Sequence, residues 1–209
     1  MATRGFPEAI SDVSDSAAEE NLIARIASGW LPPVFAAIDF ETANLHPRSA
    51  CAVSVVRVEA GRLAEGRDLL INPPPGPFLF TWLHGIRRRD VRSAEGFRSA
   101  WSRLLPLFDG ACFVAAHNGD FDKKVLEACC QEARVTRPLP PFLCTARMSR
   151  RVWSPKRADL PSMCRRLGIP LTHHDPRSDV AACAQIVLAA SRLALGGSAG
   201  LGPSNRSAA

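Results

Sequence analysis

The sequence contains no apolar stretch of membrane-spanning length, no C-x-x-C pair, no internal repeat and no tyrosine. Without such a stretch a helical membrane span is excluded, and the Met-Ala-Thr-Arg start carries no apolar core of a signal peptide. Without C-x-x-C, a zinc ribbon has no ligand pattern. The seven cysteines (Cys51, Cys112, Cys129, Cys130, Cys144, Cys164 and Cys183) are odd in number. Most lie in apolar runs such as Ala111-Cys112-Phe113-Val114, so buried, reduced thiols in a reducing compartment are expected. The expected location is cytoplasmic. Lysine is also scarce: Lys123, Lys124 and Lys156 are the only lysines among 26 basic residues.

What is present describes a globular chain. Its 209 residues, 46% hydrophobic and 22% charged, suffice for one domain with a core and some tail. The net charge of +6 favours a polyanionic partner only mildly, because a GC-rich genome produces the same arginine skew. Residues 1–33 read as an acidic extension, partly helical or disordered: a short amphipathic piece at Leu22, Ile23 and Ile26, then a linker ending in Pro32-Pro33. Residues 34–194 form the domain proper. Residues 195–209, rich in Gly, Ser and Ala, have little to bury and read as a disordered tail.

Within the domain the periodicity changes twice. Val34–Asp39 reads as a buried strand, and 50–59 with 63–71 as a hairpin around Ala60-Gly61-Arg62. Prolines from Pro73 to Pro77 end that sheet segment. Phe97, Trp101, Leu104, Leu105 and Phe108 keep helical spacing up to Gly110, and 111–116 is a short strand. Helices follow at Phe121–Cys129, near 159–167, and from Asp175-Pro176 onward, where Asp caps and Pro suits the first helical position. Val180, Cys183, Ala184, Val187 and Leu188 make the buried stripe of the last helix. The order predicts a mixed α/β domain with a helix-covered sheet.

Carboxylates gather in three segments. Asp39 and Glu41 share a face at the end of the first strand, with Ile38 and Phe40 on the other. Two acids side by side repel unless a cation lies between them, and oxygen donors of this kind suit Mg²⁺ or Mn²⁺. The pair alone equally describes an exposed strand end. In His117-Asn118-Gly-Asp120-Phe121-Asp122, either aspartate can face a metal or the helix dipole, and Phe121 is a candidate core anchor. His174 lies just outside the last helix and Asp179 one turn inside, which suits a base beside a fixed carboxylate. Capping, or a surface pair with His173, is the plainer account of that segment. Taken together, three acidic segments and a histidine supply a two-metal phosphodiesterase site.

These residues resemble the DnaQ-like 3′-5′ exonucleases of the DEDDh subgroup. Asp39-x-Glu41 is similar to the first motif, His117-Asn-x-x-Phe121-Asp122 to the second and His174-x₄-Asp179 to the third. His174 separates this subgroup from relatives with tyrosine there, a residue this chain lacks. The likeness runs from about Val34 to Ala190 and includes Ile71-Asn-Pro, His84-Gly-Ile and Cys144-Thr145-x₃-Ser149-Arg150. It implies a ribonuclease H-like α/β fold with a central five-stranded mixed sheet flanked by helices. It further implies two ions, Mg²⁺ or Mn²⁺, held by Asp39, Glu41, Asp122 and Asp179, with His174 as general base. Asp122 is thereby preferred to Asp120. Thr42, His84, Asn118 and Phe121 are the implied substrate contacts.

The implied activity is 3′-5′ hydrolysis of single-stranded ends to 5′-nucleoside monophosphates, DNA favoured, with a DNA polymerase as a possible partner. RNA 3′ trimming and a non-catalytic, polymerase-associated module are the alternatives. The oligomeric state is open. Three departures from the motif stand out: Pro176-Arg177 between base and last acid, the extra carboxylate of Asp120, and the acidic N-terminal extension.

Overall fold

The structure, a computed structural model, describes residues 12–136, 139–193 and 196. Its elements in order are α1 (Asp12–Ala27), β1 (Val34–Thr42), β2 (Ala50–Glu59), β3 (Arg62–Leu70), α2 (Thr81–His84), α3 (Arg88–Val91) and α4 (Phe97–Leu104). A 3₁₀ turn (Leu105–Phe108) leads to β4 (Val114–Ala116), α5 (Gly119–Ala133), β5 (Phe142–Cys144), α6 (Thr145–Trp153), α7 (Leu160–Leu167) and α8 (Pro176–Leu193).

Five strands form one mixed sheet in the order β3-β2-β1-β4-β5. The hairpin is antiparallel, whereas β4 runs parallel to β1 and β5 to β4. Ala60 and Gly61 both take positive φ (47° and 74°), the two-residue turn whose twist matches the flanking strands. Pro106 lacks the N–H needed to continue α4, and the expected longer helix tightens there into the 3₁₀ turn. β5 does not show in the apolar periodicity, because it has three residues and follows Pro140-Pro141.

Each face of the sheet has its own core. Phe35 and Ala37 of β1, Phe113, Ala115 and Leu143 pack under α8, whose Val180, Cys183, Ala184 and Val187 are buried. Ala36, Ile38 and Phe40 face the other way, against Trp101, Leu104, Val125 and Leu126. Burial on both faces explains why β1 is nearly continuously apolar until Asp39. All seven cysteines are free, and only Cys112 is less than buried. Among the described residues no helix is long and apolar enough to cross a membrane.

One boundary differs from expectation. Leu22, Ile23 and Ile26 of α1 belong to the core under α8, so residues 12–27 are not an appendage to a domain beginning at 34. Arg25 lies 3.7 Å over the Trp30 ring, closing the turn that follows. Glu19 accepts the Cys144 backbone N–H at 2.7 Å and ion-pairs with Arg147, which also grips Asp120. Three apolar residues at helical spacing look marginal in sequence, because the surface they cover is assembled only in the fold. The expected disordered tail from 195 onward lies outside the described residues, apart from Gly196.

Glu19→Ala should therefore destabilise the protein. It leaves a buried Cys144 N–H unpaired, worth about 1–3 kcal/mol, and a chain of this size loses about 2–4 °C in Tm per kcal/mol. Thermal unfolding measures it, and a Tm equal to wild type would show that α1 contributes nothing there.

Candidate active site

The acidic centre is built where β1 ends. Strand alternation turns Asp39 and Glu41 toward α8, on the face opposite Ile38 and Phe40. Pairing with β2 becomes irregular between Glu41 and Thr42, so the regular ladder stops where the carboxylates emerge. Asp122, in the first turn of α5, is 1% exposed and accepts the Phe40 N–H at 3.0 Å. Asp179, one turn into α8, is also buried. The structure thus brings Asp39, Glu41, Asp122 and Asp179 together, and it separates Asp120 from them. Asp120 is exposed and held by Arg147, which keeps its carboxyl below the usual range.

Electrostatically the four acids are in conflict. Burial, then the charges of Asp122, Glu41 and Asp179, pushes Asp39 well above the ordinary carboxylate range. Burial and Asp179 push Glu41 up to about 7. Burial raises Asp122 against the opposing Phe40 N–H, and raises Asp179 against the donors of His174 and His173. Among the described residues no lysine or arginine pairs with any of them. Such a cluster is uncomfortable as it stands and fits divalent cations with oxygen ligands.

The last helix begins as its sequence prescribes. Asp175 caps it by accepting the Arg177 N–H, and Pro176 takes the first helical position. The Thr172 N–H donates to Ser178 at 2.7 Å, folding the preceding loop back on the helix. His174 sits in the left-handed region (φ 67°), held there by its N–H to Asp179 at 3.1 Å. Its ring stacks on His173 at 3.8 Å, and His173 Nδ1 lies 3.3 Å from the same carboxylate. Ligand atoms of His173, His174 and Asp179 fall within 4.8 Å of one another. Burial, then His173, lowers the pKa of His174. Arg177 points away and pairs with Asp68 of β3 at 2.8 Å, anchoring the loop to the sheet edge.

Asp39, Glu41, His174 and Asp179 open onto a cleft of about 640 Å³. Its lining also carries Asn118, His117, Arg150, Lys156 and Arg157, the last paired with Asp159 at 2.9 Å. Asn118 occupies the left-handed region (φ 64°) at the start of α5. Thr42 and His84 are buried instead: Nε2 of His84 donates to the Thr42 carbonyl at 3.2 Å, and Nδ1 accepts the Ile86 N–H. That fixes a neutral ring, whose pKa burial lowers. Phe121 is 42% exposed and is no core anchor. His173 and the cations Lys156 and Arg157 carried no motif of their own in sequence. The doubled histidine and the Pro-Lys-Arg run are the signals that lead to them.

Carboxylates converging with no lysine or arginine paired to them among the described residues, at the end of the first strand of a helix-flanked mixed sheet, define a ribonuclease H-like nuclease. Comparison with known proteins gives the branch. The model of the RNase T exonuclease family matches residues 36–187, and the chain belongs to that family. A putative bifunctional exonuclease/endonuclease of Mycobacterium tuberculosis is 30% identical over 141 residues, 62% of this chain. The aligned part is 21% of that relative's length. The fold is similar to the nuclease domain of 3′hExo, a DEDDh family member, bound to rAMP (TM-score 0.66, 18% identity, 79% of this chain and 94% of that one). It is also similar to Exonuclease X in complex with 5′ overhanging duplex DNA (TM-score 0.58, 18% identity, 79% and 95%).

Proposed function

We propose that this chain is a 3′-5′ exonuclease that releases 5′-nucleoside monophosphates from single-stranded 3′ ends, with DNA the favoured polymer. The observation that carries the reading is the set of unneutralised carboxylates in which Asp39, Glu41 and Asp179 line a cleft shared with Arg150, Lys156 and Arg157, and the buried Asp122 adds its charge to theirs. Asp39, Glu41, Asp122 and Asp179 would hold two ions, Mg²⁺ or Mn²⁺. Bound there, they would make water a better nucleophile and offset charge on the phosphodiester.

The chain's own groups do the rest. Arg150, Lys156 and Arg157 draw the strand's phosphates into the cleft, and their spread along one wall orients it. Asn118 offers an amide at the same wall. His174, neutral at physiological pH because burial lowers its pKa, takes the proton of the attacking water. The new P–O bond forms in line as the bond to the 3′ oxygen of the preceding nucleotide breaks, and that oxygen leaves with a proton from solvent. Asp179 holds the backbone of His174 throughout, so the base and one ion site share a single anchor.

A substrate panel tests this: 3′-labelled single-stranded DNA, single-stranded RNA and a duplex with recessed 3′ ends, each with Mg²⁺, Mn²⁺ or EDTA. Stepwise loss of mononucleotides from the 3′ end of single-stranded DNA, abolished by EDTA and by Asp39→Ala, is expected. Wild type as inert as Asp39→Ala on every substrate would overturn the enzyme reading. Faster loss from RNA would move the assignment to the RNA-trimming alternative.

A further inference from the structure

Trp82 is 80% exposed, although tryptophan is the largest apolar side chain and Trp101 of the same chain is fully buried. Its neighbourhood is tied to the acidic centre rather than loose. The Leu79 and Phe80 N–H groups donate to the Ala43 carbonyl, Asn44 Nδ2 donates to the Pro77 carbonyl, and His84 Nε2 donates to the Thr42 carbonyl. The segment that carries Trp82 is thus stitched to the residues directly after Glu41. His84 also lies close enough to His174 for the charge of one to disfavour that of the other.

The next turn is strongly basic. Arg87, Arg88, Arg89 and Arg92 are all exposed, with Asp90 the one acid between them. Asp90 is occupied in accepting the Arg87 N–H and in a 3.6 Å contact with Arg89. Arg88 lies 5.0 Å over the Phe78 ring and donates to the Gly76 carbonyl, which fastens α3 to the stitched segment. Arg87 and Arg92 have no acidic partner among the described residues. An exposed indole followed in the chain by unpaired guanidinium groups meets the two chemistries of a single strand: a flat base face and a phosphate.

We propose that Trp82 is a base-stacking platform for single-stranded nucleic acid, with the arginines of 87–92 holding the adjoining phosphates. This rests on the exonuclease reading above and adds a contact on the α2–α3 side, apart from the Arg150–Arg157 wall. A protein partner would be met by the indole too, but would have no need of four arginines with so little acid among them. Stacking here tolerates any base, because every base offers a π face.

The test separates stacking from charge. Wild type, Trp82→Ala and Trp82→Phe are assayed on a single-stranded oligonucleotide and on its fully abasic counterpart, under the divalent ion that supports turnover. Loss of one stacked base should raise KM about tenfold in Trp82→Ala, with kcat held and most of the affinity kept in Trp82→Phe. On the abasic strand the two proteins should differ little. Equal KM values on the base-bearing strand, or the same penalty on both strands, would overturn the proposal. Quenching of the Trp82 emission by oligonucleotide in EDTA, absent in Trp82→Phe, reads the contact without turnover. If wild type degrades nothing yet that quenching occurs, the exonuclease reading fails while the platform stands. If turnover is normal and Trp82→Ala is unaffected, the platform alone fails.

Discussion

Asp39→Asn is expected to reduce divalent-dependent hydrolysis to background and, at the same time, to raise the Tm of the ion-free protein. The first effect follows from removing the acid that feels the charges of all three others. The second follows because Asp39 carries its charge against burial and against Asp122, Glu41 and Asp179. An amide of the same shape has no charge to desolvate. About 1 kcal/mol of relief would appear as about 2–4 °C. The pH dependence has the same sign. Glu41 has an ordinary value near 4.5 and a folded value of about 7, so the folded state favours its proton. Its contribution to stability is full below about pH 4.5 and is lost as pH rises through 7. The ion-free wild type should therefore lose Tm between those limits, and Mg²⁺ or Mn²⁺ should restore it at neutral pH. Asp39→Asn should show a shallower loss and a smaller response to ions. Calorimetry over that range, with and without the ions, measures both. A lower ion-free Tm in Asp39→Asn would show that the acids are not in conflict.

Much of this centre is legible in the sequence because strand parity is a strict rule. An i, i+2 pair after an apolar run must share a face, and Ile38 and Phe40 then fix which face is core. The choice between Asp120 and Asp122 is not legible that way, since both lie in the first turn of α5. It depends on Arg147, 25 residues beyond Asp122, which draws Asp120 outward, and on the Phe40 N–H, which receives Asp122. Long-range contacts also explain the other gaps. The docking of α1 needs the surface that α8 and β5 create, and the Arg177–Asp68 pair joins the last helix to an edge strand. Arg177, a departure from the third motif, anchors the loop from outside. The basic wall is assembled from the end of α6 and the loop after it, and its cations are exposed side chains that apolar spacing does not announce.

His174→Ala is expected to lower kcat by about 10²–10⁴-fold, the range for a lost general base, with ion-dependent stabilisation retained. The pH profile distinguishes a base from a mere loop residue. Burial and His173 hold the His174 pKa below its ordinary 6.5, so the neutral imidazole persists through that pH. At saturating ion, which keeps the four acids ionised, wild-type kcat should stay level from neutral pH to below 6.5 and fall only in more acid solution. In His174→Ala that acid limb should vanish from the residual rate, and added imidazole should recover part of the loss. His173→Ala is the necessary comparison. Its ring, not that of His174, lies 3.3 Å from the Asp179 carboxylate, while His174 reaches Asp179 through its backbone N–H. An orienting role for His173 predicts a smaller loss with the acid limb intact. An equal loss in His173→Ala, with the limb gone and imidazole rescue present there instead, would transfer the base to His173.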